Sequence, residues 1–469
     1  MLYESDSGDI EIALTGEALM GGKLSIYREP DYLRMIEMLR AAHVTFSNSE
    51  CIFQNWEDAP NSYGGGGAPG GSYMAVPPEY IDELKWAGIN LIATANNHAS
   101  DFGEAGILSQ LRHLQERGLA HAGTGRNLTE ATAPCYLDTP RGRVAMLAAA
   151  DWGPRGAGDI PWPFPMGVIA GEQSPYSKGR AGVNLVRHRA EVTVPRASFD
   201  ALRQISEGMG WTSAKDDRRK LSVGFDRPPT STKMVEDSDT QASFHFMGTK
   251  FISGEAYHLT TVAERSDIER NLKWVRDARQ MADWVAVSFH NHGATNTPDD
   301  PPAHAVSFAR ECIDHGADIY IGHGTGRDRG IEIYKGKPVF YGLGCFMIQN
   351  DRIPWVPYEL MARFGLGHDN VPSEFYAKRS GGGTKGHHVI TENWESVVPI
   401  VRYKGHKLSS IDLHPIDLGI SQPAGTRGRP VLAQPGSETY KRVIRRYQAM
   451  SAPFGTKITD DGKVVVPAA

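Results

Sequence analysis

The chain has 469 residues, 22% of them charged and 40% hydrophobic, with a formal net charge of -5, the composition of a globular protein rather than a disordered one. That balance offers no basic surface for a phosphate backbone, so nucleic acid is excluded as an expected partner. No apolar run reaches about 18 residues and the opening MLYESDSGDI has neither a basic nor an apolar signal region, so a cytoplasmic chain without a membrane span is expected.

No internal repeat is visible, and the sequence reads as one large α/β domain over 1–469. It carries an insertion at 151–265, a candidate lid, and a second irregular insertion at 351–392. Cys51, Cys135, Cys312 and Cys345 are widely separated and read as reduced thiols. IEIALT at 10–15 predicts a first strand that delivers Glu17 at its carboxyl end. Tyr32, Met35, Ile36 and Leu39 share one side of a helix over 31–42. VTFSNSE at 44–50 then brings Glu50 to the end of a second strand. The glycine-rich stretch 61–72 reads as a loop. A helix over 77–87, with proline at its start and Gly88 behind it, leads into INLIATANNHASD at 89–101. The apolar part of that stretch is typical of a strand covered on both faces. Asn96, Asn97, His98 and Asp101 therefore fall at a strand's carboxyl end, where α/β sheets bind ligands.

A helix over 106–117, a short strand in GLAHAGTG and an apolar strand at 143–149 continue the alternation of a layered α/β sheet. Residues 151–265 break it: Trp152, Trp162 and Trp211 are scattered without period, one short helix is expected at 198–207, and Arg180, Arg187 and His188 are candidates for an anionic ligand. A helix over 267–282 restores the pattern. WVAVSFHNH at 284–292 is a buried strand ending in His290 and His292; a helix over 303–314 leads to IYIGH at 319–323, a strand ending in His323. Hairpins are predicted at 331–343 around Gly336 and at 397–416, followed by an amphipathic helix at 438–450 and a last hairpin through Asp461 and Gly462.

The strand ends thus collect Glu17, Glu50, Asn97, His98, His290, His292 and His323. Carboxylate, amide carbonyl and imidazole without thiolate suit a divalent Mn, Fe or Zn ion. The segments TGEALM, NSE, ANNHASDFG, VAVSFHNHG, and GADIYIGHG with GIEIYKGKPVFYGLGCF resemble the CapA family, the poly-gamma-glutamate capsule biosynthesis proteins within the calcineurin-like metallophosphoesterase superfamily. The resemblance implies a four-layer α/β/β/α sandwich with a metal site at the strand ends. It also implies Glu50 as bridging carboxylate, Asn97, His290 and His323 as metal ligands, His98 as proton donor to a leaving group, and Asp101 as the residue that orients His98. Two positions depart from the family pattern: Glu17 stands where aspartate is usual, and Gly322-His323-Gly324-Thr325-Gly326 stands where Gly-His-His-Pro-His is usual. One tightly held metal is therefore expected, with Glu17 and His292 the remaining candidates for a second. Arg327 and Arg329 follow directly and are candidate forks for a substrate carboxylate or phosphate, with Arg187 a further one.

Two functions follow from this reading. One is a soluble CapA-like metal-dependent hydrolase that cleaves an amide, ester or phosphoester bond in an anionic small-molecule or peptide-like substrate. The other is a non-catalytic accessory protein of poly-gamma-glutamate biosynthesis, motivated by Gly324 and Gly326.

Overall fold

The computed structural model describes residues 8–61, 71–152, 170–214, 217, 239–293 and 295–467. Most of the glycine loop at 61–72, and Trp162, lie outside the described residues. Two large sheets dominate. In the first, with 9 strands among the described residues, Ile10–Leu19, Val44–Ser49, Leu91–Ala93 and Ala120–Ala122 run parallel, and Glu395–Lys404 with Lys407–Asp417 continue it antiparallel on the other side of Ile10–Leu19. The second, with 10 strands among the described residues, is centred on Gly142–Trp152, Trp284–His290, Ile319–His323 and Lys337–Gly342, again parallel.

Every residue of Val44–Ser49, Trp284–His290 and Ile319–His323 is buried. Burial on both faces is why these strands read as continuous apolar runs without alternation. Leu14, Phe46 and Leu91 of the first sheet share one apolar cluster with Ala148, Ala286, Ile321 and Phe340 of the second. A different cluster joins Tyr32, Met35, Ile36 and Leu39 of helix Pro30–Ala41, and Ile81 and Leu84 of helix Tyr80–Trp86, to Ala13, Ile92 and Ile400. A third joins Leu272, Val275 and Ala278 of helix Arg265–Met281, and Phe308 and Cys312 of helix Ala303–Asp314, to Leu147, Val287 and Tyr320. The period-3.6 stripes legible in these helices are the sides that meet the sheets. All four cysteines are free. Among the described residues no helix is long and apolar enough to cross a membrane.

The described part of 151–265 differs from the irregular insertion expected. Strand Leu185–Pro195 runs parallel to Gly142–Trp152, with Val186 beside Asp151, and pairs with Thr249–Gly254 and His258–Ala263, so this stretch widens the second sheet. Its two-residue period was present, with Val186, Ala190, Val192 and Val194 on one side, but a buried His188 sits among them and lowers the apolar signal. Helix Arg196–Gly208 stands where a helix at 198–207 was expected. In 351–392, short helices Tyr358–Arg363 and Pro372–Arg379 are pinned by Leu360 and Phe375 to Ile52, Tyr73, Ala75 and Phe102. The second insertion is thereby fastened beside the residues that follow His98 and Asp101. The hairpin at Gly336 turns on Lys335 (φ 49) and Gly336 (φ 77), the left-handed pair a two-residue turn demands.

Phe46 lies in the cluster between the sheets, fully buried, with its ring 6.2 Å from that of His323. Phe46→Ala is expected to cost about 3–5 kcal/mol in urea unfolding. A loss below about 1 kcal/mol would mean the two sheets do not depend on that contact.

Candidate metal centre

The carboxyl ends of both sets of parallel strands meet in one place. His290 and His323 are register partners on adjacent strands, and their Nδ1 atoms stand 3.0 Å apart. Ser288 fixes the far edge of the second ring, its Oγ lying 2.7 Å from His323 Nε2. His292, just beyond the strand, meets His290 Nε2 to Nε2 at 3.1 Å. From the first sheet, Asn48 Nδ2 donates to Glu50 Oε1 at 3.2 Å, and Glu50 Oε1 is 3.6 Å from His290 Nδ1. Asn96 donates to the Ser49 carbonyl and accepts from the His98 amide, locking the turn that presents His98. His98 Nδ1 is 2.8 Å from Asp101 Oδ2, which also accepts the Met74 amide, and His98 Nε2 is 3.9 Å from Glu50 Oε2. Asn97 lies half-buried in the same turn, next to His98.

Glu17 is held in an unforeseen way. The amides of Gly324 and Gly326 both donate to its Oε1, the second at 3.1 Å. The glycines that stand in place of histidines are thus backbone donors to a carboxylate. Gly324 is suited to this: it has φ 138, and a Cβ there would sit 2.2 Å from the Asn291 carbonyl oxygen. Burial pushes the Glu17 carboxyl up, opposed by those two amides; burial pushes Glu50 up further, and the charge of Glu17 adds to it. Burial holds His323 at about 3 and carries His290 well down, so both imidazoles are neutral. No lysine or arginine pairs with Glu17 or Glu50 among the described residues. Two buried carboxyls facing neutral imidazoles form a donor set that could hold a divalent cation.

A second cluster adjoins the first. Asp151, at the end of strand Gly142–Trp152, accepts the His292 amide on Oδ1 at 2.7 Å and lies 2.9 Å from His304 Nε2 through Oδ2. His188 stacks on His304 with ring centroids 4.1 Å apart, its Nδ1 being 3.8 Å from Asp151 Oδ2. Ligand atoms of Asp151, His188 and His304 all lie within 4.8 Å of one another, so this buried trio could also hold a metal ion. Sequence reading missed Asp151 and His304. Asp151 lies just past the apolar run 143–149, and that position was the available signal; His304 opens a helix, and nothing in its surroundings marks it.

The arginines fare differently from their reading. Arg187 is turned to Asp267 in a buried pair, Nε to Oδ2 at 2.7 Å and Nη2 to Oδ1 at 2.9 Å. Arg329 is buried rather than at the surface, with Nη1 donating to Asn291 Oδ1 at 2.6 Å, and burial lowers it to about 10. Arg327 is the partly exposed one, 3.6 Å from Glu392.

Burial holds both His188 and His304 at about 3, against an ordinary 6.5. In the unfolded chain both protonate near 6.5, so the stability present above that pH is lost as pH falls from about 6.5 toward 3. The urea midpoint is expected to be lower at pH 5 than at pH 7. His188→Phe, which keeps a ring against His304 and removes the titration, should flatten that dependence; an unchanged slope would mean that His188 is not held neutral.

The family described as "Bacterial capsule synthesis protein PGA_cap" matches residues 11–350. Uncharacterized protein y4sH of Sinorhizobium fredii is 31% identical over 459 residues, 96% of this chain and 91% of that protein. PGA biosynthesis protein CapA of Bacillus subtilis is 34% identical over 137 residues, 29% of this chain and 36% of that protein. A probable polyglutamine synthesis accessory protein of Mycobacterium tuberculosis is 41% identical over 69 residues, 14% of this chain and 17% of that protein. A match that begins in the first strand, runs through both histidine-bearing strands and ends beyond Cys345 shows that the chain belongs to the bacterial capsule synthesis protein PGA_cap family, the CapA family.

Proposed function

We propose that the chain is a metal-dependent hydrolase of the CapA family, built as a four-layer α/β/β/α sandwich, acting on an anionic peptide-like substrate of the poly-gamma-glutamate type. The layering is supported by the three apolar clusters, one between the sheets and one under the helices of each. The observation that carries the activity is the His98–Asp101 pair at 2.8 Å, set at the edge of the carboxylate and imidazole cluster, with His98 Nε2 left on the Glu50 side. Asp101 holds the imidazole at Nδ1, so the other nitrogen serves to pass a proton to a leaving group. Glu50, Asn97, His290 and His323 would hold the metal, which supplies Lewis acidity and a hydroxide near neutral pH. Ser288 fixes the His323 ring and Asn48 the Glu50 carboxylate, so the donors are oriented before any ligand enters. Arg327, at the partly exposed margin, is assigned to a substrate anion. The names of the capsule and polyglutamine relatives support the substrate class.

Glu17 gives Oε1 to two backbone amides, and a carboxylate so engaged is a poor second-site ligand. Protein purified without chelator and dialysed exhaustively is therefore expected to retain close to one metal equivalent, as read by plasma emission. Two retained equivalents would mean that His292 or the Asp151 trio completes another site.

His98→Ala is expected to keep its metal and lose roughly 100-fold to 10,000-fold in turnover on a panel of gamma-glutamyl amides and phosphoesters. His290→Ala should lose metal and turnover together. Wild-type protein that holds metal and turns over nothing on the panel would favour the accessory-protein reading suggested by the mycobacterial relative's name.

A further inference from the structure

Around helix Pro372–Arg379 and the turns through Trp394 lies a small open cavity of about 80 Å³, room for a group the size of one carboxylate. Arg379, Lys385, His387 and His388 line it, and Asp351 is its acid. That acid is already engaged, with Arg427 Nη2 2.7 Å from its Oδ2. Arg379 is the unusual member. Its guanidinium is largely buried and donates to the Ser72 hydroxyl, and no carboxylate pairs with it among the described residues. Taking a guanidinium out of water without a counter-charge is costly, and the fork retains donors suited to a carboxylate. His387 stands beside it, gripped at Nδ1 by Asn393 at 2.7 Å and at its carbonyl by Trp394 Nε1 at 2.7 Å, which leaves the Nε2 edge for a ligand.

The cavity also borders the candidate centre. Ser72 is two residues before Met74, whose amide donates to Asp101. Asn393, which grips His387, lies against Gly326, one of the two glycines that hold Glu17. His387 is close enough to His98 for the charge of one to act on the other.

We infer that this cavity binds a carboxylate of the substrate, remote from the bond that is cleaved, with the Arg379 fork as its fixed cation and His387 Nε2 as a second contact. The planar fork of Arg379, a histidine kept neutral by burial at about 4, and an acid already taken by Arg427 suit a planar carboxylate, with exposed Lys385 at the rim as a second cation. The inference rests on the hydrolase reading for what becomes of the substrate, but not for the binding itself.

The test is calorimetric titration of the full chain, metal-loaded and chelator-treated, with gamma-glutamylglutamate, glutarate and inorganic phosphate. The carboxylates are expected to bind both forms and to weaken at least about tenfold in Arg379→Gln. They should weaken less in Arg379→Lys, which keeps charge and loses the fork, and not at all in Lys378→Gln, an exposed neighbour on the same helix. His387→Gln is a second probe should Arg379→Gln lower the thermal midpoint. Phosphate binding tighter than glutarate overturns the carboxylate assignment, and equal affinities in wild type and both Arg379 variants overturn the site. Binding that depends on Arg379 without turnover would sustain the cavity and sink the hydrolase. Turnover with a KM indifferent to Arg379 would do the reverse.

Discussion

The arrangement depends on one buried contact, the carboxylate of Glu17 in the cradle of the Gly324 and Gly326 amides. Glu17 belongs to the first sheet and the glycine turn follows Ile319–His323 of the second, so these hydrogen bonds tie the two sheets at the end where the candidate ligands gather. The backbones must approach closely for this. At Gly16 a Cβ would lie 1.7 Å from the Gly344 carbonyl oxygen, and at Gly324 it would meet Asn291. A side chain at Gly16 would push Ile10–Leu19 off the Gly344 turn, and one at Gly324 would part the two histidine-bearing strand ends, displacing the donors around Glu17, His290 and His323.

From that contact the polar order extends in two directions. Toward the second sheet, Asp151 accepts the His292 amide and reaches His304, whose Nδ1 is 2.9 Å from Thr261 Oγ1, so the centre is braced by the helix and strands beyond it. Toward the first sheet, Asn48 and Asn96 form a short ladder that fixes Glu50 and the turn before His98. In each brace one carboxyl, Asp151 or Glu50, is held by neutral amide and imidazole groups. A buried network of that kind orients its members without the full desolvation cost of added ions.

Much of this was legible in the chain. The buried strands and the amphipathic helices declared themselves by apolar period, and Glu50, His98, His290 and His323 by standing at the ends of apolar runs. What could not be read depended on contacts distant in sequence. Arg187 looked available until Asp267, far along the chain, took its fork, and Arg329 read as a substrate fork although it is buried in a strand of the second sheet and donates to Asn291. Gly324 and Gly326 looked like missing side chains because a backbone amide leaves no mark in a sequence. The strand Leu185–Pro195 was hidden by the same residue, His188, that makes it chemically interesting.

The division of charge explains why a second insertion belongs beside this centre. The strand ends bring carboxyls and neutral imidazoles, which together attract a cation and repel an anion. An anionic substrate approaching them needs compensating positive charge that the sheets do not supply at that point: Arg187 is spent on Asp267, and Arg329 is buried against Asn291. The cations that remain come from segments beyond the last histidine strand, Arg327 in the turn after it and Arg379 in a helix pinned by Phe375 to the residues around Phe102. Phe375 fixes the helix of Arg379 by apolar contact, and neither arginine pairs with Glu17 or Glu50 among the described residues. An anion could then be held at one end by arginine while its other end lies over the donors that would take a metal.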